Sequence, residues 1–340
     1  MTSINVLYQS DDNYAKYMGV SILSMLENNK DAESINVVVI DDNISKDNVD
    51  KISKIISDYG RNAFWITSSE IREKTIVSQW PKYSSFRKNT NCYLKYFIFN
   101  GLLKLDIDRI MYIDSDSVVT GSLESLFTMD MDDKTLGMTR CCLVTESYRE
   151  AIGFGDDPYY NAGMNLFDIR KWVERDYPKK IIEYANSNRM YSTVDQDILN
   201  HVMKGDVIDL GCKYNYQCIH EAFPEPYYSK YYRPYLYYSE DEIIEAEKDN
   251  RIMHFMRFCG EYPWNTRSTH PCKSYYEKYR SMSPWKDDEE YPSKNNNMKF
   301  KLERMAYRIM PKRFFIRIFK RYHEKMLLDA DDKAKNVVKE

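Results

Sequence analysis

Two aspartates one residue apart, Asp114 and Asp116, directly follow the apolar segment Arg109–Ile113, which reads as a buried strand. The chain contains five such Asp-x-Asp spacings, so the position after a strand singles this pair out. Carboxylates held so close together raise at least one pKa unless a cation neutralises them. The pair therefore predicts a site for a hard divalent ion such as Mg²⁺ or Mn²⁺. The alternative is a solvated turn.

A histidine at another predicted strand end, His254, is the candidate third ligand. It follows the apolar residues 252–253 and precedes a loop. Taken alone, a histidine in this position more often packs or forms a hydrogen bond than binds a metal. His220 stands beside Glu221 but lacks the second histidine of a zinc-protease helix.

The elements that must position these residues alternate between strand and helix. Apolar runs at 4–8, 35–40 and 63–66 read as strands, and the segments between them carry apolar residues at helical spacing. This order predicts an α/β fold with parallel strands and right-handed crossovers. Ligands bind beyond the carboxyl ends of such strands. We expect the polar turn Gln9–Asn13 and the Asp114 pair to face one crevice.

Composition excludes several classes of protein. The 340 residues are 43% hydrophobic and 30% charged with only 11 glycines, which excludes collagen-like and disordered chains. The seven cysteines show no paired Cys-x-x-Cys spacing, so we expect neither disulfides nor a zinc site. No apolar run approaches the roughly 20 residues that span a bilayer, and we expect a cytoplasmic protein. A dinucleotide-dependent oxidoreductase is disfavoured because no Gly-x-Gly-x-x-Gly turn follows a strand.

The carboxyl-terminal arm, residues 299–325, has a charge opposite to that of the rest of the chain. It holds ten Lys or Arg against two Glu, a net +8, which leaves −11 for the remainder of a chain whose total is −3. Its apolar and aromatic residues fall on one helical arc and its basic residues on another. This pattern predicts a helix lying on an anionic membrane surface. The alternative is a helix docked on the acidic body; no nucleic-acid partner is expected, because no nucleic-acid module accompanies the basic segment.

Taken in order, five short blocks of sequence resemble the family 8 glycosyltransferases. These are retaining enzymes of the GT-A fold that use UDP-sugars, and they include bacterial galactosyl- and glucosyltransferases of surface glycans. The blocks are Ser10–Ala15, Met111–Asp116, Tyr160–Leu166, Asp195–Asn200, and His254-Phe255 followed by Pro263-Trp264. The resemblance covers residues 4 to 264. It implies a Rossmann-like, mostly parallel twisted sheet flanked by helices, with a helical appendage at the carboxyl terminus.

The resemblance also implies roles for individual residues. Asp114, Asp116 and His254 would bind Mn²⁺, with Mg²⁺ as a possible substitute. Gln196 and Asp195 would stand at the reacting sugar. Asp11 and Asn13 would hold uracil and ribose, with Tyr14 against the base. The full set implied to bind the donor is Gln9, Asp11, Asn13, Tyr14, Lys95, Asp114, Ser115, Asn161, Ala162, Gly163, Arg257 and Gly260.

Three departures from the family pattern concern the donor. Lys95 stands where the family has a basic residue that contacts the diphosphate, and it lacks the bidentate fork of an arginine. Glu261 and Tyr262 replace a second basic residue before the Pro-Trp pair, for which Arg257 could substitute. Arg140 stands where relatives often have an Asp that reads the donor sugar, which leaves the hexose open.

The implied function is the transfer of glucose or galactose from a UDP-sugar to a glycan or lipid-linked acceptor, at the inner face of the plasma membrane. The alternative is a UDP-sugar-binding scaffold or sensor at the membrane that does not turn over. The expected organisation is a catalytic domain at 1–285, a polar linker at 286–298, a basic amphipathic helical segment at 299–328 and a charged tail at 329–340.

Overall fold

The computed structural model describes residues 3–75, 90–187, 191–295 and 297–337. The main sheet contains seven strands, which are β1 Ser3–Asp11, β2 Ser34–Asp42, β3 Asn62–Thr67, β4 Arg109–Ile113, β6 Leu136–Arg140, β7 Tyr160–Asp168 and β8 Val207–Asp209. Their order in the sheet is β3-β2-β1-β4-β7-β6-β8. A smaller sheet has the order β5-β10-β9. Its strands are β5 Ser117–Val119, β9 Tyr216–Gln217 and β10 Ile252–His254.

Helices flank the sheet and continue to the carboxyl terminus. Those in the first half are α1 Asp12–Glu27, α2 Lys46–Asp58, α3 Ser68–Lys74, α4 Phe99–Leu103, α5 Glu124–Thr128 and α6 Glu146–Ala151. Those in the second half are α7 Ile169–Glu174, α8 Tyr177–Ser187, α9 Val194–Val202, α10 Ile219–Ala222, α11 Tyr227–Tyr231, α12 Glu240–Lys248, α13 Lys273–Arg280, α14 Met298–Ile309 and α15 Lys312–Val337. Two 3₁₀ turns lie at Asn91–Tyr96 and Cys212–Asn215.

The main sheet is mostly parallel, as predicted. β1 pairs in parallel with both β2 and β4, whereas β7 runs antiparallel between β4 and β6. The carboxyl ends of β1 and β4 therefore share one edge of the sheet with the amino end of β7. That edge collects the polar residues that follow β1 and β4 and those that begin β7.

The core lies on both faces of the sheet, because side chains alternate along each strand. In β1, Val6 and Tyr8 pack with α1 and α2, while Leu7 faces the opposite layer. In α1, the apolar residues at helical spacing, Met18, Ile22, Met25 and Leu26, are all buried.

The amino-terminal turn differs from the prediction. β1 continues through Asp11 and α1 begins at Asp12, so the expected turn Gln9–Asn13 is wrong. Oδ1 of Asp11 accepts a hydrogen bond from the Tyr14 backbone N–H at 3.2 Å, which lets the helix start directly from the strand. Ser45 directly precedes α2, a position where serine often caps a helix, but its side chain makes no capping hydrogen bond.

The carboxyl-terminal arm packs on the acidic body through part of its apolar surface. In α15, Phe315 and Ile316 are buried, and the Phe319 ring lies edge-on to Phe223 at 5.2 Å. Oη of Tyr232 and Nδ1 of His323 are 2.9 Å apart. The docked arrangement weighed as an alternative is therefore present. α15 also continues past the predicted boundary at 328 to Val337, and Asp331 and Ala334 in this later part are buried.

Candidate active site

Three side chains at the edge described above, those of Asp114, Asp116 and His254, form a potential metal site. One ligand atom from each lies within 4.8 Å of the others. Nε2 of His254 is 3.3 Å from Oδ1 of Asp116 and 4.0 Å from Oδ2 of Asp114. The antiparallel register explains this meeting, since His254 of β10 is paired with Ser117 of β5, the residue after Asp116.

The backbone of Gly163 leaves room for an ion in this cluster. A Cβ atom there would lie 2.6 Å from Cε1 of His254 and 2.8 Å from Oδ2 of Asp114, closer than real contacts permit. Burial, together with the neighbouring Asp116 carboxylate, raises the pKa of Asp114 to about 6. Two carboxylates and an imidazole form a donor set that suits a divalent ion such as Mn²⁺. The residues therefore fit a metal.

Lys95 compensates part of this negative charge from beneath the site. Its side chain is only 3% exposed, and Nζ donates to Oδ2 of Asp195 at 3.0 Å. Nζ also lies 4.1 Å from the centre of the Tyr112 ring, whose hydroxyl donates to Oδ1 of Asp114 at 2.6 Å. Burial alone would lower the pKa of Lys95, but the carboxylates of Asp195 and Asp114 outweigh it and raise that pKa. Lys95 is thus a fixed buried cation.

A cleft of about 290 Å³ opens beside the metal cluster. Its lining includes five residues predicted to bind the donor, namely Gln9, Asp11, Tyr14, Asp114 and Ser115. Oε1 of Gln9 is buried without a hydrogen-bond partner among the residues that the structure describes, while its Nε2 donates to the Asn91 carbonyl at 2.6 Å. Tyr14 is 36% exposed and stands edge-on to Trp264. The cleft therefore offers both an aromatic ring and an unused amide acceptor.

The predicted sugar-side residues lie next to the same cluster. Oε1 of Gln196 accepts from Nδ2 of Asn161 at 3.0 Å and from the Ala162 backbone N–H at 3.2 Å. Asp195, which precedes Gln196 in α9, holds Lys95. Asn13 is exposed, and its Nδ2 donates to Oδ2 of Asp11 at 3.1 Å.

Seven of the twelve predicted donor-binding residues are not among those that line the described part of the cleft. Five of them are described above, namely Asn13, Lys95, Asn161, Ala162 and Gly163, and the other two lie on one loop. Arg257 is exposed on the loop that follows β10, and Gly260 on the same loop packs against Phe300 of α14. Glu261, which stands where a basic residue was expected, pairs with Nε of Arg304 at 3.2 Å. This loop is therefore tied to α14.

Sequence reasoning missed several residues of the site. Tyr112 bonds Asp114, Asn215 contacts His254, and Asp42 and Asn91 line the cleft. Asp42 ends an apolar strand on the same sheet edge, so its position could have been inferred. The Asn215 amide lies in a short 3₁₀ turn and carries no pattern that would have revealed it.

Comparison with known proteins identifies relatives along most of the chain. The sequence matches the family model "Glycosyl transferase family 8" over residues 5–268. It is 29% identical over 221 residues to a putative glycosyltransferase of Haemophilus influenzae, a match that covers 63% of each protein. It is 26% identical to the lipopolysaccharide 1,2-glucosyltransferase of Escherichia coli, across 84% of this chain and 80% of that enzyme.

Solved structures share the fold. The galactosyltransferase LgtC, determined with donor and acceptor sugar analogues, superimposes with a TM-score of 0.64 at 24% identity, over 84% of this chain and 99% of LgtC. The bifunctional glycosyltransferase WbbM superimposes with a TM-score of 0.67 at 19% identity, over 84% of this chain but only 51% of WbbM. These similarities establish the GT-A fold.

Proposed function

The chain belongs to glycosyl transferase family 8, and on that premise we propose that it is a retaining, UDP-sugar-dependent hexosyltransferase. The donor sugar would be glucose or galactose. The acceptor would be a hydroxyl group of a cell-surface glycan, glycolipid or glycoprotein. The observation that carries the proposal is the Asp114, Asp116 and His254 cluster at the mouth of a cleft that five predicted donor-binding residues line.

The three clustered residues would hold Mn²⁺, which when bound supplies Lewis-acid neutralisation of the diphosphate charge. Within the chain, Tyr112 holds the Asp114 carboxylate by a hydrogen bond, and the charge of Lys95 favours its ionised form. Asp11 and Asn13 would hold the uracil and ribose, with Tyr14 against the base and Gln9 in the same cleft. Together these residues would orient the donor for transfer.

Retention at the anomeric carbon is assigned to attack from the leaving-group face. Oδ2 of Asp195 is engaged by the Lys95 ammonium, which lowers the nucleophilicity of that carboxylate. The Gln196 amide is a poor nucleophile but places its carbonyl dipole near the sugar side, where it would stabilise positive charge on the ring. A covalent sugar adduct isolated on Asp195 would contradict this assignment.

Release of UDP from candidate UDP-hexoses in the presence of Mn²⁺ tests the proposed reaction. We expect turnover with UDP-glucose or UDP-galactose and its loss in Asp116→Ala. Asp108→Asn is the matched control, because this exposed aspartate lies at the opposite edge of the sheet, near Arg170. Tight UDP binding without turnover for any donor and acceptor would instead support the non-transferring scaffold.

We also propose that the protein meets its acceptor at the surface of an anionic membrane. None of the helices in the described ranges is long and apolar enough to cross a bilayer. Helices α14 and α15 nevertheless each expose a stripe of apolar residues, while other apolar residues of the two helices pack against the body. The exposed residues are Met298, Leu302, Met305 and Ile309 of α14, and Phe314, Ile318, Tyr322 and Met326 of α15. With a net charge of +8 around them, these stripes suit an anionic bilayer.

Vesicle flotation tests the membrane surface without deleting the arm, because a deletion would uncover the body surface beneath α15. We expect the full chain to bind vesicles that contain anionic lipid and not neutral ones. Replacing Ile309 and Ile318 together by Ser should weaken binding about tenfold, from the lost burial of two apolar side chains. Leu105→Ser is the control, since Leu105 is similarly exposed at 49% but lies outside the arm. Equal flotation of all three proteins would contradict the proposal.

A further inference from the structure

A continuous row of polar side chains, all buried except the partly exposed Gln196, connects His254 to α9. At its first end, Nδ1 of His254 is 3.1 Å from Oδ1 of Asn215. Nδ2 of Asn215 then donates to Oδ1 of Asn161 at 2.8 Å. All three residues are buried, and Asn215 is fully enclosed. The metal-facing histidine is therefore oriented by an amide that sequence reasoning did not identify.

The row continues from Asn161 to a buried carboxylate. Nδ2 of Asn161 donates to Oε1 of Gln196 at 3.0 Å, and Nε2 of Gln196 donates to the Tyr159 hydroxyl at 3.3 Å. That hydroxyl donates to Oδ1 of Asp197 at 2.5 Å. Five hydrogen bonds therefore join six residues from His254 to Asp197.

The donor direction along the row is fixed by groups that can only donate or only accept. The Ala162 backbone N–H donates to Oε1 of Gln196, which identifies that atom as the oxygen. The Gly163 backbone N–H donates to Oδ1 of Asn161 at 3.0 Å and identifies the second oxygen in the same way. Asn215 must then present its NH₂ to Asn161 and its oxygen to His254. The imidazole consequently carries hydrogen on Nδ1 and directs Nε2 at the two carboxylates.

Asp197 anchors the far end of the row. Its side chain is fully buried, and besides Tyr159 it accepts from the Tyr148 hydroxyl at 2.7 Å. It also accepts from the Thr193 backbone N–H at 3.1 Å and from the Thr193 hydroxyl at 2.6 Å. These donors hold the carboxylate in one orientation, so it gives the row a fixed terminal acceptor.

We propose that Asn215, Tyr159 and Asp197 are positioning residues that orient the Gln196 amide and the His254 imidazole through one directional hydrogen-bonded chain. The inference rests on the proposed transferase function for the role of Gln196. It assigns Asp197 a task distinct from that of Asp195, although both belong to the same short segment of α9. It also makes the metal end and the sugar end of the site parts of one buried network.

Two phenylalanine substitutions test the sugar end. Tyr159→Phe removes the hydroxyl that links Gln196 to Asp197. Tyr148→Phe removes another hydroxyl that donates to Asp197 but does not belong to the row of hydrogen bonds. We expect Tyr159→Phe to lower kcat about 10- to 100-fold, since misplacement of a reacting group costs this much. The affinity for UDP with Mn²⁺ should stay within twofold. Tyr148→Phe should keep its kcat, because the two hydrogen bonds from Thr193 still hold the Asp197 carboxylate, while it loses comparable thermal stability. Equal effects of the two substitutions on kcat would overturn the inference.

Manganese affinity tests the metal end and requires no sugar donor. Asn215→Leu removes the acceptor for the His254 Nδ1–H, and loss of such a partner costs about 10- to 100-fold in metal affinity. Free Mn²⁺ measured by electron paramagnetic resonance reports this loss. The control is Asn165→Leu, an equally buried asparagine of β7 whose Nδ2 donates to the Ala162 carbonyl, outside the chain. Unchanged affinity in Asn215→Leu would overturn this half of the inference.

A conservative variant separates positioning from folding. Asn215→Asp retains an acceptor for His254 but removes the donor to Asn161. It should therefore recover Mn²⁺ binding while kcat stays low, as in Tyr159→Phe. Recovery of both would show that no directional chain is needed. If the wild-type protein binds Mn²⁺ but releases no UDP, the proposed function fails, and the metal measurements still decide the role of Asn215.

Discussion

The backbone of Gly163 lies so close to His254 that a Cβ atom there would stand 2.6 Å from Cε1 of the imidazole. Gly163→Ala must therefore displace the ring or the Asp114 carboxylate. We expect Mn²⁺ affinity to fall at least about tenfold, as it does when a ligand loses its orientation. Titration of Mn²⁺ followed by electron paramagnetic resonance measures the change.

The control for this substitution is Gly101→Ala in α4, where an added Cβ would meet nothing within 4 Å. Its Mn²⁺ affinity should equal that of the wild type. Normal affinity in Gly163→Ala would mean that the cluster is not where the ion binds.

The ionised carboxylate of Asp114 should destabilise the metal-free protein at neutral pH. Burial, then the Asp116 charge, raises its pKa to about 6, so the folded protein holds this proton more tightly than the unfolded chain does. The unfolding free energy then falls as pH rises from about 4 to about 6, and the penalty is complete at pH 7. Asp114→Asn should stabilise the protein by about 1 kcal/mol at pH 7 in EDTA, because the side chain is one-third exposed and partly screened.

Denaturant unfolding at pH 5 and pH 7 checks this prediction. The gain should shrink at pH 5, and Mn²⁺ should stabilise the wild type but not the variant. Asp108→Asn, an exposed control, should show no pH-dependent gain. A less stable Asp114→Asn at pH 7 would contradict the assigned penalty.

The buried pair of Lys95 and Asp195 should show strong energetic coupling. Lys95→Met leaves the Asp195 carboxylate, 19% exposed, without its cation and should cost about 3 kcal/mol. Adding Asp195→Asn should recover about 1 to 2 kcal/mol of that loss, because the unpaired charge is gone. A double-mutant cycle in urea measures the coupling, and additive losses would show that the pair is energetically independent.

Truncation of two adjacent phenylalanines in α15 should lower the unfolding free energy by very different amounts. Phe315 is 4% exposed and packs on the body, whereas Phe314 is 44% exposed. Phe315→Ala should lower the unfolding free energy by about 3 kcal/mol, and Phe314→Ala by less than about 0.5 kcal/mol. Thermal unfolding compares the two variants, and similar losses would mean that α15 does not dock as described.

The strands and their edge could be predicted because short-range patterns specify them. Apolar runs ending in polar residues placed Asp114 and Asp116 correctly on the sheet edge. The pairing of His254 with Ser117 could not be read from the residues alone, since it joins segments far apart in the chain. The resemblance to the family instead suggested that His254 lies beside the two aspartates.

Buried amides and helix faces were harder to predict. Asn215 has no periodicity or motif, and only the packed structure shows its contact with His254. On α15 the apolar arc includes both Phe314 and Phe315, and the sequence cannot tell which of them meets the body. The start of α1 was misplaced because Asp11 acts both as the last strand residue and as the helix cap.

The contacts of Glu261 and Gly19 with later segments have a consequence for where the folding unit ends. The family match stops at residue 268, yet Arg304 pairs with Glu261 and the Trp285 ring packs on Gly19. Trp285 also donates from Nε1 to Oδ1 of Asn48 at 3.1 Å. A fragment cut at the family boundary would expose both surfaces. We therefore expect the cooperative unit, as native-state hydrogen exchange would delimit it, to extend beyond the family match and to include α14.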